Sequence, residues 1–216
     1  MTNDSPKPDD DAVRARVIEA ADRLYYAYGV QAIGMDTLRT EAGVSLKRLY
    51  RLFPSKESIL EQVLLHRHDM WNGLVERAIE GGEPRERLLA IYDMLARWFD
   101  EDDFRGCVFI NCFGELGTTT PRVAEIVRTH KAGFQARLAE LVAEAGGPQS
   151  LAPQLAILAE GAQTTAAIAG TNDAARQARQ AAEVLIDAAL GPATGTAQTR
   201  TSTTVTTARP AFRSRR

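Results

Sequence analysis

A chain of 216 residues, 44% hydrophobic and 25% charged with a formal net charge of −2, has enough apolar material for one large or two small domains with a core of their own. No apolar run reaches the roughly 18 residues of a membrane span, and the acidic opening MTNDSPKPDDD lacks the basic-then-apolar order of a secretory signal, so the cytoplasm is the expected compartment. Cys107 and Cys112, five positions apart with no CxxC or Cys-His partner, point to buried, reduced thiols rather than to zinc or a disulfide framework, and no metal or cofactor is expected.

Residues 1–11 carry two prolines and four aspartates and almost nothing apolar, which predicts a disordered leader. From Val13 the apolar residues Val17, Ala21, Leu24 and Tyr28 recur on one helical face closed by Gly29. A short second helix is predicted from Met35 to Ala42, ending at Gly43. A third runs from Leu46 to Phe53, stopped by Pro54, which disfavours helical geometry in the residue before it. Ser55 caps a long fourth helix that turns Ile59, Leu60, Val63 and Leu64 inward.

The remainder reads as helical throughout, without the alternation of a sheet. Pro84 opens RERLLAIYDMLARWF, CVFINCFGEL makes a short apolar helix, and Pro121 opens a long helix that stops at Gly146 and Gly147. SLAPQLAILAEGAQTTAAIAG and DAARQARQAAEVLIDAAL supply two more, and the Thr-, Ala- and Arg-rich stretch from residue 191 predicts a disordered tail. No internal repeat is present.

Within residues 39–56, Arg39, Lys47, Arg48, Arg51 and Lys56 face a single acid, Glu41, so a basic patch survives in a nearly neutral chain. The tight AGVS join places Ala42 where two helices meet, Gly43 where the backbone turns left-handed, and Val44 and Leu49 in the shared core. That is a helix-turn-helix, whose second helix enters the major groove of DNA.

The stretch GMDTLRTEAGVSLKRLYRLFPSKESIL resembles the DNA-binding signature of the TetR family of transcriptional regulators, with Ala42, Gly43, Val44, Ser45, Tyr50, Phe53 and Lys56 all in place. It departs from that pattern at Gly34, Leu38, Arg39 and Leu52, where the family commonly has Ser or Thr, Ile, Ala, and His or Tyr. The resemblance implies phosphate contacts from Tyr50 and Lys56, base-edge or adjacent backbone contacts from Leu46, Lys47, Arg48 and Arg51, and a further DNA contact from Thr37. It also implies an all-α fold: an N-terminal three-helix DNA-binding domain over residues 12–58, joined by a long helix to a helical effector-binding and dimerisation domain over residues 59–190.

In that body Trp71, Tyr92, Trp98, Phe99, Phe104, Phe109, Phe113 and Phe134 either build plain core or wall an effector cavity. Trp71, Trp98, Phe99, Cys107, Phe109, Asn111 and Phe113 are the candidate ligand residues. Asn111 and Glu115, four apart on the apolar CVFINCFGEL helix, either orient a ligand or satisfy a helix end. His66 and His68 cannot share a helix face, and His130 is distant in sequence, so no metal site emerges. The last two helices carry alanine-lined faces (Ala159, Ala162 and Ala166; Ala178, Ala181 and Ala182) that pack either within the subunit or, as the resemblance implies, against a symmetry mate as a four-helix bundle. The resulting expectation is a ligand-responsive regulator, a repressor rather than an activator, binding a near-palindromic operator in double-stranded DNA as a homodimer and released by an apolar or aromatic small molecule. An adaptor with weakened DNA binding is the alternative, ahead of an all-helical enzyme, for which no nucleophile-base pair, metal spacing or phosphate loop exists.

Overall fold

The computed structural model describes residues 8–191, and among them nine helices and no strand follow one another. Most of the expected leader and all but the first residue of the expected tail lie outside the described residues.

The first helix, α1, runs Pro8–Tyr28, so residues 8–11 are helical and not part of a leader. Proline suits the first helical position, whose N–H has no intrahelical partner, and Asp9, Asp10 and Asp11 in the first turn complement the positive end of the helix dipole. Composition alone does not register this positional benefit. The helix buries Val13, Val17, Ala20, Ala21, Tyr25 and Tyr26, whereas Tyr28, expected on the same face, is exposed at the last residue.

Next come α2 (Met35–Glu41) and α3 (Leu46–Leu52). Gly43 adopts φ +65° between them, a conformation that side chains with a Cβ rarely take. Ser45 caps α3 by accepting from the Arg48 N–H at 3.2 Å. Leu38 and Leu49 are fully buried where the two helices cross. Leu52 is buried too. Standing where the family commonly has a polar residue, it serves the core, and its carbonyl accepts from Arg14 Nη1 at 2.7 Å.

Helix α4 (Lys56–Ala78) starts with a reciprocal cap in which Ser55 and Ser58 each accept the other's N–H, at 3.2 and 3.3 Å. The body comprises α5 (Pro84–Phe99), α6 (Val108–Leu116), α7 (Pro121–Glu144), α8 (Leu151–Ala169) and α9 (Asp173–Leu190). α9 packs on α8 and α5, α7 on α8, and α6 on α7. Tyr92 ties α5 to α8 by donating its buried hydroxyl to the Leu155 carbonyl at 2.8 Å.

Two apolar cores result, and α4 threads both. Ile59, Leu60, Val63 and Leu64 belong to the N-terminal core, Trp71 and Val75 to the core of the body. The packing therefore changes hands between Leu64 and Trp71, several residues past the expected boundary at 58. The N-terminal core also takes Cys107, Val108, Phe109 and Cys112 from α6 and its cap, and Val123, Ile126 and Val127 from α7.

Much of the alanine-lined surface is spent inside the subunit. Ala159, Ala162 and Ala166 of α8 and Ala178 and Ala182 of α9 are buried within the single chain. What remains outside is different: Ile157 and Ile168 on α8 and Val184 on α9 are 70, 83 and 67% exposed. Eleven residues separate Ile157 from Ile168, three helical turns, so both point from one face.

Candidate nucleic-acid interface and cavity

The shortness of α3 makes its two faces unequal. Leu49 and Leu52 turn inward, leaving Leu46, Lys47, Tyr50 and Arg51 exposed, with Arg48 half-buried beside them and Thr37 exposed on α2. Lys56 is half-buried at the first residue of α4, where unpaired amides already attract phosphate. The expected DNA-contacting residues are thus gathered on the exposed part of the helix-turn-helix. Arg48 and Arg51 are not free there: both reach the first turn of α1, where Arg48 pairs with Asp9 and Asp10 and Arg51 with Asp10.

A cavity of about 680 Å³ opens in the body, within the size range of small-molecule sites. It runs along one face of α4 from Arg67 to Ala78 and is closed by Met94 and Trp98 of α5 and by Cys107, Val108 and Phe109. Of the expected ligand residues, Trp71, Trp98, Cys107 and Phe109 line it. Phe99, Asn111 and Phe113 do not. Phe99 is buried in the body core, 4.7 Å between ring centroids from Phe104. The Asn111 amide faces away and donates to the Arg105 carbonyl at 3.1 Å, a backbone partner and not a ligand. Phe113 is half-exposed and folds over Gly117, where an added Cβ would lie 2.7 Å from the ring.

Sequence reasoning missed the polar lining: Tyr26 from α1, Arg67 and Arg77 on α4, Arg97 on α5, His130 on α7 and Gln163 on α8. The spacing of four and three residues from Arg67 to Trp71 to Leu74 was a visible signal for the α4 face; the contributions of α1, α7 and α8 depend on tertiary contacts. The indole N–H of Trp71 is buried with no hydrogen-bond partner among the described residues, a donor available to an occupant.

His68 and His130, 62 positions apart, meet with their Nδ1 atoms at 3.0 Å. On its other side, His68 Nε2 lies 3.0 Å from Asn72 Nδ2, so the His68 ring bridges Asn72 and His130. His130 stacks face to face on Phe109 with ring centroids 3.5 Å apart. Burial first, then the charge of Lys131 and the neighbouring His68, push its pKa down to about 3. Since an unfolded histidine takes its proton near 6.5, the unfolded chain binds more protons between these values and stability falls as pH drops from about 6.5 toward 3. Urea midpoints measured at pH 7.5, 6 and 5 should decline in the unaltered chain, and less steeply with His130→Gln. Equal slopes would remove His130 as the cause.

Both cysteines are free and buried. Burial pushes the Cys112 thiol up to about 12, which keeps it protonated. Among the described residues no cluster of His, Cys, Asp and Glu is placed to hold a metal ion, and no helix is long and apolar enough to cross a membrane.

Interface and cavity are joined through α6. One end of this helix supplies Val108 and Phe109 to the cavity. At the other, the Glu115 carboxylate accepts the backbone N–H groups of Val30 and Gln31 at 3.1 and 3.0 Å, in the loop between α1 and α2. Gly29, at φ +83°, permits that approach, because a Cβ there would lie 3.0 Å from Glu115 Oε1. The Tyr26 hydroxyl adds a second tie, donating to the Gly106 carbonyl and accepting from the Arg105 N–H, both at 2.9 Å. A third is the Arg67 to Asp22 ion pair at 2.6 Å between α4 and α1. Of the two roles open to Asn111 and Glu115, both residues satisfy backbone groups.

An exposed basic helix on a helix-turn-helix, carried by an all-helical body with a cavity, defines a DNA-binding transcriptional regulator. The comparisons make the family specific. The family model for bacterial regulatory proteins of the tetR family matches residues 17–63, and that for the tetracycline repressor-like C-terminal domain matches residues 84–182. A protein described as a TetR transcriptional regulator from Streptomyces avermitilis is 31% identical, with 82% of this chain and 97% of that one covered and a TM-score of 0.72. A TetR-family regulator from Streptomyces coelicolor superposes at a TM-score of 0.79 over 84% of this chain and 97% of that one, at 23% identity. An uncharacterised HTH-type transcriptional regulator of Mycobacterium tuberculosis is 27% identical over 121 residues, covering 55% of this chain and 59% of the relative's length. This chain belongs to the TetR family of transcriptional regulators, and is a regulator and not an enzyme.

Proposed function

We propose that the chain acts in the cytoplasm as a homodimeric repressor that binds a near-palindromic operator and is released by a mostly apolar or aromatic small molecule held in the α4–α7 cavity. The observation that carries this reading is the double engagement of α6, whose Phe109 lines the cavity while its Glu115 holds the loop leading into α2. An occupant that moves α6 must also move, or strain, the attachment of the reading head. Only a difference in affinity between the two arrangements can then drive release. Trp71, Trp98, Cys107 and Phe109 form the apolar part of the proposed effector site. Thr37, Leu46, Lys47, Arg48, Tyr50, Arg51 and Lys56 form the proposed DNA surface. Exposed Ile157, Ile168 and Val184 support the dimer, since scattered burial within the subunit leaves this apolar face uncovered. Two copies would present their α3 helices to half-sites about one helical turn apart or somewhat more.

The test is anisotropy titration of labelled duplexes drawn from DNA flanking the gene, across salt. Lys56→Ala is expected to weaken all duplexes alike and to lower the salt slope by about one. Arg48→Ala is expected to cost about 1–3 kcal/mol on the operator and to relax base preference at one position per half-site. Equal losses on operator and scrambled duplex would remove Arg48 from the reading role. Absence of any sequence preference in the unaltered chain would overturn the repressor reading.

A further inference from the structure

The basic face of α3 is held by the chain's own acids. Arg48 Nη2 bonds the Asp9 carboxylate and lies 3.1 Å from Asp10 Oδ1, and Arg51 Nη2 lies 2.8 Å from the same oxygen. The Asp10 side chain is largely covered, 22% exposed, whereas Asp9 is open to water at 77%. Arg48 Nε is buried and has no partner among the described residues. Hydrogen bonding from Arg48, followed by the charge of Arg51, holds the Asp10 carboxyl below its ordinary range.

The chemistry of this arrangement is that of a phosphate contact made in advance. A carboxylate offers an arginine the same paired, negatively charged oxygens that a DNA phosphate does. We propose that Asp9 and Asp10 make an autoinhibitory contact with the DNA-binding surface, occupying Arg48 and Arg51 until DNA displaces them. This rests on the reading of α3 as the DNA-reading helix.

A non-specific complex is held by phosphate contacts alone, and two of the cations that could join it are already taken. The two acids also repel the duplex at short range, within the Debye length. A guanine edge accepts two N–H groups of one guanidinium in fixed geometry, so on the operator Arg48 gives up both acid bonds in full. On other sequences it can stay with Asp9 and Asp10. The acids therefore lower affinity for the operator by the whole cost of that exchange, and for other sequences by no more than that. Lys47 and Lys56, which lack such a partner in α1, are left for the sequence-independent part of binding.

The experiment uses the full chain, an operator duplex obtained by selection from random DNA, and a scrambled duplex of equal length. Asp9→Asn with Asp10→Asn is expected to raise affinity for the operator about tenfold and for the scrambled duplex by no more than that. Asp36→Asn is the control: it removes an exposed carboxylate of the same domain, one paired with Arg39 at 2.7 Å, and is expected to raise operator affinity far less. In an Arg48→Ala background the two α1 substitutions should have much less effect, since the competed group is gone. No gain on the operator, an equal effect of Asp36→Asn, or an undiminished effect without Arg48 would each overturn the proposal, the last two by reducing the acids to general repulsion. If the unaltered chain selects no sequence from the pool, the reading of α3 itself fails, and the proposal with it. Circular dichroism that stays superimposable among the variants confirms that helix α1 is intact.

Discussion

Ile157→Glu combined with Ile168→Glu is expected to leave the chain monomeric in light scattering and to weaken operator binding by about a hundredfold or more. Both side chains are largely exposed on the single subunit, at 70 and 83%, so the substitutions cost the fold little. At a two-fold interface each would be met by its mate, and like charges without partners are expelled from a dry contact. Operator affinity falls because the second reading head loses the effective concentration that the first confers. Ala166→Glu gives the contrasting result. Ala166 is 2% exposed inside its own subunit, so a carboxylate there should lower the melting temperature before it changes any assembly. A double variant that remains dimeric would place the interface on another face.

Glu115→Ala is expected to separate the two halves of the regulator. The carboxylate accepts two backbone N–H groups, from Val30 and Gln31, and hydrogen bonds to charged groups contribute about 1.5–3 kcal/mol each where they are shielded. Gln31 is exposed, which places the expected loss toward the lower end. Amide exchange at Val30 and Gln31 should accelerate in the variant. Coupling is read with an aromatic dye, 8-anilinonaphthalene-1-sulfonate, titrated into free and operator-bound protein. In the unaltered chain the two dissociation constants should differ, typically by 5- to 150-fold, and reciprocity requires the dye to weaken operator binding by the same factor. In the variant that factor should approach one while each ligand alone still binds. A coupling factor unchanged by Glu115→Ala would route communication through Tyr26 and Arg67 instead.

The order and ends of the helices were legible because local chemistry punctuates them: Pro84 and Pro121 open two helices, Ser55 and Ser58 cap a third, and Gly43 turns a fourth. The reading head was legible for the same reason, its motif being contiguous. The start of α1 was not. Asp9 and Asp10 read as solvated acids, and their partners Arg48 and Arg51 lie 38 to 41 positions further along. The cavity was only half legible. Phe109 and Phe113 are one helical turn apart and look equivalent, yet one is 3% and the other 42% exposed, because the second ring settles over Gly117 at the end of α6. His130 acquires its role from His68 and Phe109, contacts that no periodicity encodes.

The shared core of the N-terminal helices bears on how such regulators can be recombined. Phe109, Cys112, Val123, Ile126 and Val127 fill the same apolar cluster as Leu49, Phe53 and Leu64. A chimera cut at residue 58 would bring a reading head to a foreign body with a hole where those five side chains had been, and strip Ile59, Leu60, Val63 and Leu64 from it as well. Transplantable units in this chain are defined by buried surface and not by the order of the sequence. A graft that keeps the head intact has to carry α6, the opening turns of α7 and the first half of α4 with it, so a new DNA specificity comes with part of the old cavity wall attached.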